Sequence, residues 1–490
     1  MELKEIKRIN QNIFNLDRDL AREKKSLFIA SLIIAYKLNN NFVDSIDFTK
    51  ENSLDQIIDL IVNNLNKVKL QPNTKESIIN ALNTITGANT LLDKNKKEFH
   101  EFINNFITDI STIEAEPLFF EKLYMEVDKK AKGKNTGIVL TPDFIANLMI
   151  DLAKLDYKKD VVLDPCSGTG IFSKLSYFKM KNDLEVDKNN LTKKEYAAYQ
   201  TRLQNSIIAN DISAKMITIC FANFLLYGLN TELLYCDNIH DLKIENIQPT
   251  KALLNPPYEN QFKPILIIEK ATNLVNNKIV TILPAGKFGQ NKDAFYNILK
   301  KATYEINIKM QDDLFKDSGT SASTSIIVFN ANKPHTKEDN IYYYDFTDTG
   351  YVYLKDSGLV DKSHTFEDKK ANLLNRVYNH TIKESGFKRT WGNFYEVDNE
   401  SELIANIDPI KVKTDKEEAD ITWENIKIKK MLKEKEELVE SCDNNYVDES
   451  GEFENYIIGM LREMNRESGE VDIECPICGF VNTININNIK

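Results

Sequence analysis

The stretch Ala252-Leu253-Leu254-Asn255-Pro256-Pro257-Tyr258 limits what this chain can fold into more than any other. An apolar run able to form a buried strand reaches Asn255 and must stop there. Pro256 and Pro257 lack backbone N–H groups and fix φ, so they cannot continue a ladder. The result is a stiff turn at the carboxyl end of a strand, where open α/β sheets place their ligands. The turn offers an amide side chain, backbone carbonyls and an aromatic face. Alone, it is equally well a proline turn with a surface tyrosine. As a site, it suits a planar ring carrying an exocyclic amine. The Asn255 side-chain oxygen and the Pro256 carbonyl can each accept one N–H, and Tyr258 can stack on the ring, worth roughly 1–3 kcal/mol. Two acceptors holding both hydrogens draw the nitrogen towards a tetrahedral shape and localise its lone pair.

The strands before it end in the same manner. Val161-Val162-Leu163-Asp164 is an apolar run tipped by acid, followed by Pro165-Cys166-Ser167-Gly168-Thr169-Gly170 and a helix. The glycines let backbone approach a ligand closely. No Gly-Lys-Ser/Thr follows, so this is not a phosphate-gripping P-loop. An acid at the strand tip repels a pyrophosphate and welcomes an ammonium or a sulfonium; S-adenosylmethionine carries both. Cys166 reads as a small residue in the turn. Ser206 to Asp211 makes a second strand whose acid is placed for ribose hydroxyls, although Asp211 could instead cap the next helix. It lies 211 − 164 = 47 residues beyond Asp164, against an interval of roughly 20 in dinucleotide folds. The charged, helix-prone residues 181–204 read as an insertion that accounts for the excess. A third strand is expected over Glu232–Asp237 and a fifth over Ile279–Pro284, with two more over Tyr304–Lys309 and Ser323–Phe329. Four successive tips carrying Asp164, Asp211, Asp237 and Asn255 predict a doubly wound α/β domain with one polar edge. Upstream, Thr141 is a good N-cap and Pro142 suits the first helical position. That helix start is either a receptor for a carboxylate or a plain helix start.

A chain of 490 residues is expected to hold two or three domains. Leu27, Ala30, Ile34 and Leu38, then Leu54, Ile57, Ile58, Ile61 and Leu65, then Phe99, Phe102 and Phe106 fall at helical spacing, and no glycine precedes Gly87. Residues 1–112 therefore read as a helical domain with no chemistry of its own. It lacks paired acids with a nearby lysine, which speaks against a fused nuclease. The net charge of −11 is wrong for a protein that grips DNA mainly through its own phosphate contacts. A nucleic-acid role would need a local basic surface or a basic partner. The charged start is no signal peptide, and Ser26–Leu38 is too short to span a bilayer. Six scattered cysteines suggest no disulfide framework, so a soluble cytoplasmic protein is expected.

Towards the far end, Tyr342-Tyr343-Tyr344 and Trp391 with Phe394 and Tyr395 read as strand packing rather than as DNA contacts. Glu424–Glu440 reads as a charged helix, solvated or docked on a partner. Cys475 and Cys478 supply two of the four ligands a structural zinc needs. A knuckle without metal is the expectation, and zinc shared between two chains the alternative.

Taken in order, these motifs resemble those of DNA adenine-N6 methyltransferases of the gamma class. More narrowly, they resemble the modification (M) subunits of type I restriction-modification systems. The resemblance is most specific over residues 136–330. Asn255-Pro256-Pro257-Tyr258 matches the family's NPPY signature, which implies catalysis by those four residues. Thr141 and Pro142 match the element that holds the cofactor's carboxylate. Asp164, Pro165, Ser167, Gly168, Thr169 and Gly170 match the cofactor loop. Asn210, Asp211 and Ile212 match the ribose tip, and Asp237 with Asn238 the region near the cofactor's adenine or the target base. The implied cofactor is S-adenosyl-L-methionine. The implied reaction is methyl transfer to adenine N6 in double-stranded DNA, with the base flipped out of the stack. The implied partners are a separate specificity subunit and a nuclease subunit, with no membrane. The implied fold is a Rossmann-like, seven-stranded, S-adenosylmethionine-dependent methyltransferase domain over 113–400. It lies between the helical N-terminal domain and a helical extension and tail over 401–490. An RNA adenine methyltransferase, a protein-glutamine methyltransferase and a catalytically silent assembly subunit are the alternatives. The 181–204 segment and the Cys475/Cys478 end depart from the family pattern.

Overall fold

A computed structural model describes residues 3–16, 22–50, 52–86, 96–114, 116–128, 140–259, 263–284, 287, 291–316, 323–354, 358–383, 388–391, 394–397, 402–405, 470–474 and 481–485. The chain divides into two compact units, Met1–Pro409 and Ile410–Lys490. Within the described residues, the second unit contains one antiparallel pair, β14 (Glu470–Glu474) with β15 (Val481–Asn485). The expected helix at Glu424–Glu440, together with Cys475 and Cys478, lies outside the described residues.

The first unit opens with helices α1 (Leu3–Leu16), α2 (Arg22–Leu38), α3 (Ser53–Leu65), α4 (Pro72–Asn83), α5 (Lys96–Glu114) and α6 (Phe119–Asp128). The helical reading of this region holds. Its apolar spacing buries Ile57, Ile58, Ile61 and Leu65 on one face of α3, and Phe28 stacks on Phe102 at 6.1 Å.

Next come α7 (Asp143–Ala153), β1 (Val162–Asp164), α8 (Ile171–Asp187), α9 (Lys193–Gln204), β2 (Ile207–Asn210), α10 (Ala214–Tyr227), β3 (Leu234–Tyr235) and β4 (Lys251–Leu254). After β4 the chain forms α11 (Pro264–Leu274), β5 (Lys278–Pro284), α12 (Lys292–Leu299), β6 (Thr303–Met310), β7 (Thr324–Asn330) and β8 (Ile341–Phe346). Two small hairpins, β9 (Val352–Leu354) with β10 (Gly358–Val360) and β11 (Lys388–Trp391) with β12 (Phe394–Val397), flank α13 (Phe366–Tyr378). An edge strand, β13 (Leu403–Ala405), follows.

The central sheet has the order β13-β8-β6-β7-β5-β4-β1-β2-β3. Strands β1 to β5 are mutually parallel, and β7 runs antiparallel between β5 and β6. The seven expected strands are present as one block, β3 to β6. The sheet is nevertheless nine strands wide among the described residues: β8 adds in parallel to β6, and β13 adds antiparallel to β8. The physical reason is burial, because Tyr343 and Tyr344 on β8 are fully packed. The tyrosine cluster there is strand packing, as expected.

Three local expectations change. The third strand shrinks to Leu234–Tyr235 because Thr231–Leu233 winds into a 3₁₀ turn, where the Asn230 side chain accepts the Glu232 N–H. Residues 181–204 are not one inserted segment: α8 runs on to Asp187, and α9 begins at a reciprocal cap between Thr192 and Glu195. Arg202 of α9 then donates to the carbonyls of Tyr157 and Asp160, tying that helix to the start of β1. The third change concerns Thr141 and belongs to the site.

The helical region and the sheet share one apolar core, running from Ile6 to Tyr344 through α2, α4 and α10. At the β3 edge, residues 69–74 lie alongside 231–237. The Thr74 hydroxyl donates to Leu234 O at 3.0 Å and accepts from Cys236 N at 2.9 Å. Gln71 donates to Glu232 O, and Thr231 donates to Lys69 O. No described helix is long and apolar enough to cross a membrane.

Candidate active site

Parallel strands bring the tips of β1, β2, β3 and β4 to one edge. Asp164, the last residue of β1, is completely buried. Its Oδ2 accepts the backbone N–H and the hydroxyl of Ser173 on α8, at 3.2 and 3.0 Å. Its Oδ1 is buried with no hydrogen-bond partner. Burial pushes the Asp164 carboxyl up to about 7, against the opposing pull of the two Ser173 bonds. A buried carboxylate oxygen with nothing to accept is costly and is the kind of group an ammonium satisfies.

The turn after β1 is shaped by Gly168 at φ +52° and Gly170 at φ +88°, both left-handed. A Cβ on Gly168 would meet nothing within 4 Å, so the turn borders open space there, whereas one on Gly170 would lie 3.0 Å from Cys220 Sγ. The Ser167 N–H donates to Asn210 O at 2.8 Å, and the Gly170 N–H to Ser167 O at 2.7 Å. Burial and the Asp211 and Asp164 carboxylates hold the Cys166 thiol well above its ordinary range. Its expected part as a small, inert turn residue fits that environment.

Asp211 sits just past β2. Its Oδ2 accepts Gly168 N–H at 2.8 Å and its Oδ1 accepts Ser213 N–H at 2.8 Å. Burial raises its carboxyl from the usual range, with the two N–H bonds opposing. Asp211 thus joins the glycine turn to the start of α10, whose cap is Ser213 rather than Asp211. Ile212 beside it is 69% exposed, an apolar side chain left uncovered at the rim. At the β3 tip, Asp237 N–H donates to Asn210 Oδ1, while Asp237 Oδ1 accepts from Asn73 of α4. Asn238 Oδ1 accepts His240 N–H and closes its own turn.

At the β4 tip, Pro256 is buried, while Asn255, Pro257 and Tyr258 are half-buried. Asn255 Nδ2 donates to Thr141 Oγ1 at 3.0 Å. This corrects the expectation for Thr141 and Pro142. The helix-capping position belongs to Pro142, whose carbonyl accepts Ile145 and Ala146 N–H, and α7 starts at Asp143. The Thr141 hydroxyl makes no cap and instead fixes the Asn255 amide. Tyr258 meets Phe315 edge-on at 5.7 Å and 84°, and its buried hydroxyl has no hydrogen-bond partner. Burial holds that hydroxyl well above its ordinary range.

Asn210, which belongs to the expected ribose tip, bridges the site: its Nδ2 donates to Pro165 O and its Oδ1 accepts from Asp237, joining three strand tips through one side chain. Sequence reasoning missed other participants. Asn223 of α10 donates to Thr169 O, and Phe315 meets Tyr258; neither carries a local signature. Among the described residues, no group of three or more His, Cys, Asp or Glu could hold a metal.

The sheet order, the acid-tipped first strand and the glycine turn leading into α8 define the S-adenosylmethionine-dependent methyltransferase fold. Residues 120–287 match the family model described as N-6 DNA Methylase, and the chain resembles the adenine-N6 DNA methyltransferases of modification-subunit type. It is 31% identical over 258 residues to the type II restriction enzyme and methyltransferase RM.BcgI of Heyndrickxia coagulans. That match takes in 49% of this chain and spans 38% of the relative's length. A modification subunit assigned to a type I restriction enzyme of Vibrio vulnificus YJ016 superposes with TM-score 0.54 and 14% identity, over 83% of this chain and 95% of that one. A chain from a type I restriction-modification system superposes with TM-score 0.57 and 14% identity, over 90% and 98%. At these identities the two structures establish the fold alone.

Proposed function

We propose that this chain transfers a methyl group from S-adenosylmethionine to adenine N6 in DNA, as the modification subunit of a restriction-modification or related phage-defence system. The observation that carries the reading is the β4 tip. Thr141 takes the donor side of the Asn255 amide, which turns the acceptor side, Oδ1, away from Thr141 and makes it the group to receive an amine hydrogen. Pro256 and Pro257 stiffen the turn, and Tyr258 brings an aromatic face backed by Phe315.

S-adenosylmethionine, when bound, supplies a methyl group already activated as a sulfonium. The residues present fit it. Asp164 Oδ1 is an acceptor for its ammonium, the Gly168–Gly170 turn gives backbone access, Asp211 faces its ribose, and exposed Ile212 offers apolar cover for its adenine. The task of the chain is then positioning and exclusion of water. The target base leaves its stack at a cost of a few kcal/mol, and Tyr258 replaces part of the lost stacking. Asn255 and the Pro256 carbonyl hold the N6 amine while its lone pair turns towards the methyl. The proposed division is into helical (1–112), catalytic (113–400) and tail (401–490) regions, with β13 at the start of the last returning to the edge of the catalytic sheet.

The test is methyl transfer from labelled S-adenosylmethionine to unmethylated DNA, with product nucleosides identified by mass spectrometry. It is run with the chain alone and with a candidate specificity subunit. N6-methyladenine formed only with the partner supports a modification subunit. Formation by the chain alone keeps the chemistry and removes the need for that partner. No methylated base in either case, with cofactor still bound, shifts the substrate to RNA or protein. Asn255→Ala is expected to abolish transfer while cofactor binding survives; turnover at the wild-type rate in that variant would remove Asn255 from the chemistry.

A further inference from the structure

Beneath the glycine turn lies a group that the mechanism above does not use. Lys174 of α8 is 1% exposed, and its ammonium sits 2.6 Å from Glu121 Oε2 of α6, itself 8% exposed. The other carboxylate oxygen, Glu121 Oε1, accepts the hydroxyl of Thr169. Thr169 is the residue between the two left-handed glycines, and its carbonyl accepts Asn223 Nδ2 of α10 at 2.9 Å. The middle of the turn is therefore held from below through both its side chain and its carbonyl.

A buried ion pair is a poor device for stability alone, because desolvation offsets much of its attraction and apolar residues of similar volume do as well. Geometry gives this pair a different use. Lys174 takes one oxygen of the Glu121 carboxylate and so aims the other at Thr169. Asp211 and Asn223 hold the backbone of this turn from outside it; Gly168 and Gly170 have no side chains of their own to add, so the Thr169 hydroxyl is the handle that the turn itself supplies. We propose that Glu121, oriented by Lys174, is a positioning residue for the cofactor. It fixes Thr169, and with it the backbone of residues 168–170 that faces the ligand. The inference rests on the S-adenosylmethionine reading above. It assigns a share of cofactor affinity to a helix outside the strand–turn–helix that carries the motif.

The test compares Thr169→Ser, which keeps the hydroxyl, with Thr169→Val, which replaces it by a methyl, in the full chain. Calorimetry with S-adenosylmethionine gives affinity, and thermal melting without ligand reports folding. Thr169→Ser is expected to bind within about twofold of wild type. Thr169→Val is expected to bind roughly tenfold more weakly, the scale of one hydrogen bond lost with its buried acceptor left behind. The paired replacement Glu121→Leu with Lys174→Met removes both charges together and leaves the Thr169 hydroxyl no acceptor there. It should weaken binding similarly, and adding Thr169→Val to it should cost little more. Equal affinity for the Ser and Val variants overturns the proposal, as does a Thr169→Val loss that is fully additive with the pair or one that simply tracks a fall in melting temperature. Absence of binding to the wild-type chain overturns the functional reading itself, and this inference with it.

Discussion

Asp164 is under two opposed influences, burial that favours its proton and Ser173 that favours its charge, and burial wins. A carboxyl whose folded pKa, about 7, lies above its unfolded value favours folding at low pH. That contribution is present below the unfolded value and is lost as pH rises from about 4 to about 7. A bound cation reverses the preference, because the ammonium needs the charged form. Affinity for S-adenosylmethionine is therefore expected to fall roughly tenfold from about pH 8 to about pH 6, with proton release on binding at the lower pH. Calorimetry in buffers of differing ionisation enthalpy measures both, and Asp164→Asn should flatten the profile. Thr141 gives a second test at this scale. If it positions Asn255 rather than the cofactor, Thr141→Val lowers kcat, Thr141→Ser restores it, and the cofactor KM moves in neither. A raised cofactor KM with kcat intact would return Thr141 to the carboxylate. Asp164 was legible in the sequence because an acid ending an apolar run is a local pattern. The duty of Thr141 was not, because its partner lies 114 residues away.

Elements were legible where burial is continuous. Strands β1, β2 and β4 are apolar runs ended by polar tips and β5 is one ended by Pro284, and they appear almost where the runs do. β3 was overdrawn because the Asn230 side chain turns Thr231–Leu233 into a 3₁₀ turn before pairing begins. The place of β8 in the sheet was invisible, since parallel pairing to β6 is a long-range fact and a strand's own residues do not specify it. The turn into α8 was legible from its glycines, and the demand on Gly170 can be tested. Gly170→Ala meets both a φ of +88° and Cys220 Sγ at 3.0 Å. The left-handed conformation alone costs roughly 1–2 kcal/mol for a residue with a Cβ. The expected result is a lower denaturant midpoint that Cys220→Ala rescues only in part, because relieving the contact leaves the backbone strain. Complete rescue would assign the whole cost to the contact.

For the whole molecule, the helical reading of residues 1–112 holds among the described residues, and polar side chains from this region and just beyond it reach the strand tips. α4 supplies Asn73 to Asp237, and the neighbouring α6 supplies Glu121 to the glycine turn. Helical spacing shows which side is buried, not which polar group reaches across. The net charge of −11 sets the last expectation. The chain alone should bind duplex DNA weakly, in the range of roughly 10⁻⁴–10⁻⁶ M typical of non-specific contacts at physiological salt. Fluorescence anisotropy checks this, and a much tighter complex would reveal a basic surface that the overall balance conceals.

The Thr74 hydroxyl, with its two bonds to the backbone of β3, has a consequence outside catalysis. A parallel sheet ends in a row of unanswered donors and acceptors, which is a template on which another copy can be laid. Here one side chain answers a carbonyl and an N–H of that row in place of a tenth strand, and Gln71 answers the carbonyl of Glu232 beside it. The helical region thereby covers this edge of the sheet and leaves fewer of its backbone groups open to pairing with a neighbouring copy.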